Sequence, residues 1–472
     1  MQLVVLIVYS IVLLALGLWI GRRVETTDTF FVAGRKLGPV LLFSTVLAAN
    51  IGAGSTVGAA GLGYSHGLRG FWWVGSAGIG TLLLALWIGP RIWRLAREHE
   101  FYTVGDFLEY RYGKEVRATV AVLLWFGTLA ILAGQLIALA WVLNVVADVP
   151  KPLGCLIGGG VMTIYFAAGG LLTSAWVNLV QLVVLVVGFA IALPWALINA
   201  GGWAAVAAAI PAGTPLAETY FDFWGGSSSW AYLALLVPAF MVSPGLLQKV
   251  YGARDERTIR LAVGASAFAL MAFAAVPPVL GMIARVYDPS LANGELALPL
   301  VLTAGLPVAV GSIALAAVFS AEMSSADAIL FMLATSLSKD LYKRFIRPDA
   351  DDGQVLKIAR LASVAGGALG VALAIVLPSV IGSLSVFYSL LGVSLFVPVV
   401  IGLQSRRIGT AEALAAIAGG VAMLIATRLA PWREWSGAGW VGSLSPNTWG
   451  LIASVLVCAV VWILRSSRPA KT

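Results

Sequence analysis

The sequence predicts an all-α integral membrane protein with about 13 transmembrane helices, and three observations carry that expectation. Of the 472 residues, 60% are hydrophobic and only 11% charged, against about 25% charged in a soluble domain. No soluble core absorbs so much apolar surface. The apolar residues fall into thirteen stretches, each able to cross about 30 Å of hydrocarbon as a helix of roughly 20 residues. The Lys and Arg residues gather in alternate loops between those stretches, as membrane topology demands. Seventeen Trp and 52 Gly agree, because Trp anchors at bilayer interfaces and Gly lets helices pack closely in lipid.

In chain order the expected spans are 2–20, 39–61, 71–90, 117–147, 152–168, 173–199, 229–248, 258–285, 305–337, 356–378, 380–402, 409–428 and 446–464. No basic residue precedes span 1, whereas Arg22 and Arg23 follow it. It therefore reads as a retained span that starts outside, not as a cleaved signal peptide. From that start, all but five of the 30 Lys and Arg residues fall in segments expected to be cytoplasmic, Lys249 after span 7 among them. The five are Arg69, Lys151, Arg285, Arg428 and Arg433. The N-terminus is thus expected outside and the C-terminus inside, in a membrane of the bacterial inner type. The net charge of +8 reads as this topology signal rather than as a nucleic-acid surface.

No linker or low-complexity tract divides the chain, so a single domain is expected. The longest outside segment, 201–228, carries Glu218 and Asp222 and reads as a surface loop or a short amphipathic helix over an outer vestibule. Cys155 and Cys458 lie in separate apolar runs and read as buried free thiols. His66 and His99 are far apart in sequence, which speaks against a shared metal site. Neither a paired His-Glu metal helix nor a Gly-x-Ser-x-Gly elbow occurs, so an embedded enzyme lacks support.

Two stretches carry chemistry. In span 2 the run from Leu47 to Gly58 joins glycines to small polar residues near mid-membrane. Either the helix unwinds there, exposing carbonyls that coordinate a hard cation, or Gly54 and Gly58 form a small-residue packing face. In span 9, Ala321-Glu322-Met323-Ser324-Ser325-Ala326-Asp327 places two hydroxyls and two carboxyls inside the bilayer, where acids are costly and usually functional. Residues 321, 324 and 325 share one helical face, so a carbonyl and two hydroxyls can converge on one point. The competing reading has the serines bonding back to their own preceding turn.

These stretches resemble the solute:sodium symporter family, which has the inverted-repeat fold first associated with the bacterial leucine transporter. The likeness continues in Phe30-Phe31-Val32-Ala33-Gly34-Arg35, Gly169-Gly170-Leu171, Gln248-Lys249 with Ala253-Arg254-Asp255-Glu256, and Asp340-Leu341-Tyr342-Lys343. The resemblance implies a sodium site made by Ala48, Ile51, Ala321, Ser324 and Ser325, with sodium as the co-transported ion. It also implies two inverted five-helix repeats, spans 2–6 (39–199) and 7–11 (229–402), with broken helices at spans 2 and 7. Residues 1–38 would then be an added N-terminal span with the first cytoplasmic loop, and 403–472 two further spans and a tail. Val242-Ser243-Pro244-Gly245 fits a break in span 7.

The chain departs from the family pattern where many members carry an acid before Gln181. Here that position is Asn178, and an acid stands instead at Asp327. Asp327 is expected to support the sodium site electrostatically or as part of a second cation site. Candidate solute contacts are Asn50, Gly52, Ser55, Trp72, Gln135, Ser243 and Tyr388, with Gly54, Trp73, Val74 and Ser389 also considered. With no acid or lysine among them, an amino acid or monocarboxylate fits better than a sugar. The expected function is therefore sodium-coupled symport of a small organic solute by alternating access. The alternatives are proton coupling through Glu322 or Asp327 and a solute sensor on a transporter fold. Solute, sodium and membrane lipid are the expected partners, with neither nucleic acid nor an obligate protein partner called for.

Overall fold

The computed structural model describes residues 2–21, 27–167, 171–210, 213, 215–224, 227–429 and 444–466. Gly169 and Gly170 of the family-like motif, Arg22, Arg23 and Arg433 lie outside them. The described chain is helical, with no strand among the described residues and one isolated bridge between Leu37 and Ala253. That bridge pairs the segments before span 2 and after span 7 through Leu37 N–H to Gly252 O at 2.9 Å and Arg254 N–H to Leu37 O at 3.1 Å.

A helix occupies each expected span, and among the described residues ten helices are by themselves long and apolar enough to cross a membrane. One of the ten, Gly54–Glu98, continues from the second half of span 2 through span 3. The first half of span 2, Pro39–Asn50, is one of the shorter apolar helices, as is the one that fills span 5. Hydropathy merges or splits segments wherever a helix breaks inside the bilayer, which is what happens at span 2.

Both expected breaks are present. Helix Pro39–Asn50 starts at a proline and stops where Ile51 turns extended, at φ −104° and ψ 100°. The chain resumes as a π-type turn over Gly54–Gly58 and then helix Ala59–His66. In span 7, helix Ser227–Met241 ends before Ser243, at φ −55° and ψ 120°, and helix Pro244–Tyr251 begins at the proline. Proline supplies no N–H to the preceding turn and drives the residue before it out of the helical region. Around these breaks pack the long helices Lys114–Ala147, Leu171–Asn199 and Val308–Thr335.

Among its described residues the 201–228 segment holds two short helices, Gly202–Ala208 and Pro215–Thr219. Its Tyr220 is fully buried, and the hydroxyl donates toward Gly63 O at 2.8 Å and Tyr64 O at 3.1 Å. Gly67, at φ 68°, passes so close that a Cβ would lie 1.9 Å from Tyr220 O. The segment is thus clamped to the far end of span 2.

At the opposite side a charged network joins the helix Val104–Tyr112 to spans 4 and 9. Arg117 reaches Asp340 at 2.7 Å and Asp106 and Glu109 at 2.9 Å each, and Glu109 also pairs with Arg344. Burial alone would raise the Glu109 carboxyl, but hydrogen bonds from Arg344 and Arg117 outweigh it and hold the group below its ordinary value.

Candidate functional site

Breaking span 2 at Ile51 frees carbonyls that an unbroken helix would have used, and span 9 brings its two serines against them. Ser324 Oγ lies 3.0 Å from Ala48 O and 3.0 Å from Ala321 O. Ser325 Oγ lies 3.2 Å from Ala48 O, 3.1 Å from Ile51 O and 3.4 Å from Ala49 O. The structure thus gathers Ala48, Ile51, Ala321, Ser324 and Ser325, and adds the Ala49 carbonyl, which the sequence did not flag. Two hydroxyl protons serve four carbonyls here, so the cluster has a surplus of acceptors. Back-bonding does occur, from Ser324 to Ala321, but Ser325 turns wholly to the broken helix.

Gly52 makes this approach possible. A Cβ there would lie 2.3 Å from Ser325 Oγ and 2.7 Å from Gln135 Oε1. Gln135 Oε1 in turn accepts from Ala53 N–H at 2.8 Å, which pins the unwound strand to span 4. Glu322, fully buried, accepts from Thr56 Oγ1 at 2.6 Å, tying span 9 to the second half of span 2.

A cavity opens beside the oxygen cluster, and Ser325 belongs to both. Of the expected solute contacts, Asn50, Gly52, Ser55, Gln135, Ser243 and Tyr388 line it, together with Gly54 and Trp73. Trp72 does not. Its indole donates to Phe223 O at 2.9 Å and meets the Trp224 ring edge-to-face, because adjacent helix positions point about 100° apart. Ser389 also faces elsewhere, accepting from Arg428 at 3.1 Å. The rest of the wall is apolar, with Ile131, Leu236, Phe240, Ile329, Leu384 and Phe387. Among the described residues no Asp, Glu, Lys or Arg lines it. Met332 separates this cavity from a smaller one lined by Arg117, Gln248 and Asp340, on the side of the charged network.

Lys249 corrects the charge reading. The sequence places it in a cytoplasmic loop, yet it is 1% exposed, with its ammonium 3.2 Å from Thr45 Oγ1. The break at Ser243 starts a half-helix that still lies inside the bundle, and Lys249 is in its second turn. Asp327 is buried near it, against Ser174, and Asn178 donates to the same Ser174 at 3.2 Å. Spans 6 and 9 therefore meet where Asn178 and Asp327 stand. The field of Asp327 is shared with Lys249 rather than directed at the Ser324 cluster alone. Among the described residues no group of three or more His, Cys, Asp or Glu is placed to hold a metal, and both cysteines are free and buried.

Comparison with known proteins places this geometry. The family model described as "Sodium:solute symporter family" matches residues 30–420. The chain is 26% identical over 401 residues to a sodium/glucose cotransporter of Vibrio parahaemolyticus, covering 77% of this chain and 72% of that protein. It is 28% identical over 452 residues to a sodium/pantothenate symporter of Escherichia coli, covering 88% of each. It is 24% identical over 465 residues to a high-affinity proline transporter of Bacillus subtilis, covering 96% of each. In fold it is similar to a solved sodium-coupled sialic acid symporter in a substrate-bound, outward-open state, with TM-score 0.81, 18% identity and 98% of each chain covered. The chain therefore belongs to the sodium:solute symporter family, and is a multi-pass membrane transporter that moves a solute together with sodium, not an enzyme.

Proposed function

We propose that sodium binds among the Ala48, Ile51 and Ala321 carbonyls and the Ser324 and Ser325 hydroxyls, and that the solute in the adjoining cavity is an amino acid or monocarboxylate. The observation that carries this is Ser325, which belongs to the oxygen cluster and to the cavity wall at once. A hard cation takes oxygen ligands at about 2.3–2.6 Å, so two ligands at a right angle stand about 3.4 Å apart. The 3.0–3.4 Å spacings here fit such a cage once the hydroxyls turn their lone pairs inward. Bound sodium then supplies the positive charge that the cavity wall lacks, and a carboxylate is the solute group that benefits. Each ligand thereby favours the other.

A sugar fits less well because three of the polar side chains of the wall are already engaged. Ser55 donates to Asn50 O at 2.8 Å, Asn50 Nδ2 to Thr81 at 3.3 Å, and Gln135 accepts from Ala53. The loop bias of basic residues supports an N-terminus outside and a C-terminus inside, and the equivalent breaks in spans 2 and 7 support inverted repeats over 39–199 and 229–402. Sodium-driven uptake into proteoliposomes, competed by a panel of amino acids, monocarboxylates and sugars, tests the solute class. Competition by the first two groups and not by sugars is expected; competition by sugars alone overturns it.

A further inference from the structure

Beside the Ser324 oxygens lies a second polar cluster, built from four helices, that the sodium cage does not use. Thr45 stands one turn before Ala48 in span 2, and Asp327 stands three residues after Ser324 in span 9. Span 6 contributes Ser174 and Asn178. Asn178 Nδ2 donates to Thr45 Oγ1 at 3.1 Å and to Ser174 Oγ at 3.2 Å. Asn178 Oδ1 and Asp327 Oδ2 are buried without a hydrogen-bond partner. Hydroxyl, amide and carboxylate oxygens with one formal negative charge form a donor set suited to a hard cation. The ammonium of Lys249, from the half-helix Pro244–Tyr251, reaches this cluster at Thr45 Oγ1, 3.2 Å away.

We propose that Lys249 is a tethered cation that takes the place of a second transported ion beside Asp327, and that this transporter consequently couples one sodium per cycle. An ammonium is a compact point charge with three donors on a flexible stem, so it reproduces the charge of an ion without leaving the protein. Burying it is costly unless an opposite charge and oxygen acceptors meet it. Thr45 supplies an acceptor in contact, and Asp327 the nearby opposite charge. Asn178 is neutral, so the cluster holds one acid for one fixed cation and retains no charge for a free one. A brace that only adds rigidity would not change the number of ions bound, and that separates the two roles.

The experiment counts radioactive sodium bound at saturation per purified transporter and measures the sodium dependence of uptake in proteoliposomes. The wild type and Lys249→Arg should bind one sodium with a hyperbolic dependence. Lys249→Gln should bind two and turn sigmoidal, and Lys249→Gln with Asp327→Asn should return to one. Two ions on the wild type, or one on Lys249→Gln, overturns the proposal. Should Lys249→Gln fail to reach the membrane, Asp327→Asn decides: its unpaired ammonium should raise half-saturating sodium severalfold, and an unchanged value overturns the proposal. The inference rests on the Ser324 and Ser325 reading, whose own failure is seen separately, as an unchanged sodium dependence in Ser324→Ala.

Discussion

Ser325 Oγ lies 3.1 Å from the carbonyl oxygen of Ile51, a residue 274 positions earlier in the chain. The contact exists because span 2 stops being a helix at Ile51 while span 9 remains one past Ser325. One carbonyl is freed and one hydroxyl is carried to it on a rigid support.

Removing either hydroxyl should weaken sodium binding without preventing folding, since each serine is replaced by a smaller residue in a helix. A hydrogen-bond-type interaction with a charged group contributes about 1.5–3 kcal/mol, so half-saturating sodium should rise roughly ten- to hundredfold in Ser324→Ala and in Ser325→Ala. A sodium titration of uptake, normalised to protein in the membrane, measures this. Wild-type dependence in both variants would refute the site.

Gly52→Ala should be more damaging than either serine variant, although it adds only one methyl. That methyl would meet Ser325 Oγ at 2.3 Å, Ser325 Cβ at 2.5 Å and Gln135 Oε1 at 2.7 Å. Overpacking of this kind costs about 1–3 kcal/mol, and here the strain falls on Ser325, one of the proposed sodium ligands. Sodium-induced thermal stabilisation should disappear in the variant. If Gly52→Ala keeps it in full, the close approach is not required.

The charged network around Arg117 should lend stability that depends on pH through Glu109. Its carboxyl is held below the ordinary value of 4.5, burial opposing the shift and Arg344 and Arg117 overcoming it. A depressed carboxylate contributes stability that is complete above the unfolded value and is lost as pH falls through the lower folded one. Melting temperature in detergent should therefore fall on acidification below about 4.5, and Glu109→Gln should lower it at neutral pH and flatten that fall. An equal acid fall in both proteins would remove Glu109 as its source.

The orientation follows from loop charge and can be read with single cysteines in a background lacking Cys155 and Cys458. A cysteine at Ser227, beside the outer segment, should react with an impermeant maleimide in intact cells. One at Ser467, which lies beyond the described residues, should react only after the cells are opened. The reverse pattern would invert the topology.

The sequence by itself determined the membrane class, the order of the spans and the breaks in spans 2 and 7, and it pointed to the five residues proposed here as a sodium cage. Each of these is written locally. Hydropathy acts on one helix against lipid, proline and glycine act on their own turn, and the serine pair stands one helical turn after Ala321. Tertiary structure alone decided how deep and toward what each side chain points. Lys249 counts as a loop charge in any linear reading because depth after a helix break is not encoded in residue type; the fold buries it beside Thr45 and Asp327. Trp72 and Trp73 are neighbours of equal hydropathy, and only the packing of their helix turns Trp73 to the cavity and Trp72 to Trp224. Asn178 and Asp327 meet at Ser174 because two helices separated by well over 100 residues pack together, and such packing is a property of shape between segments that no single segment carries.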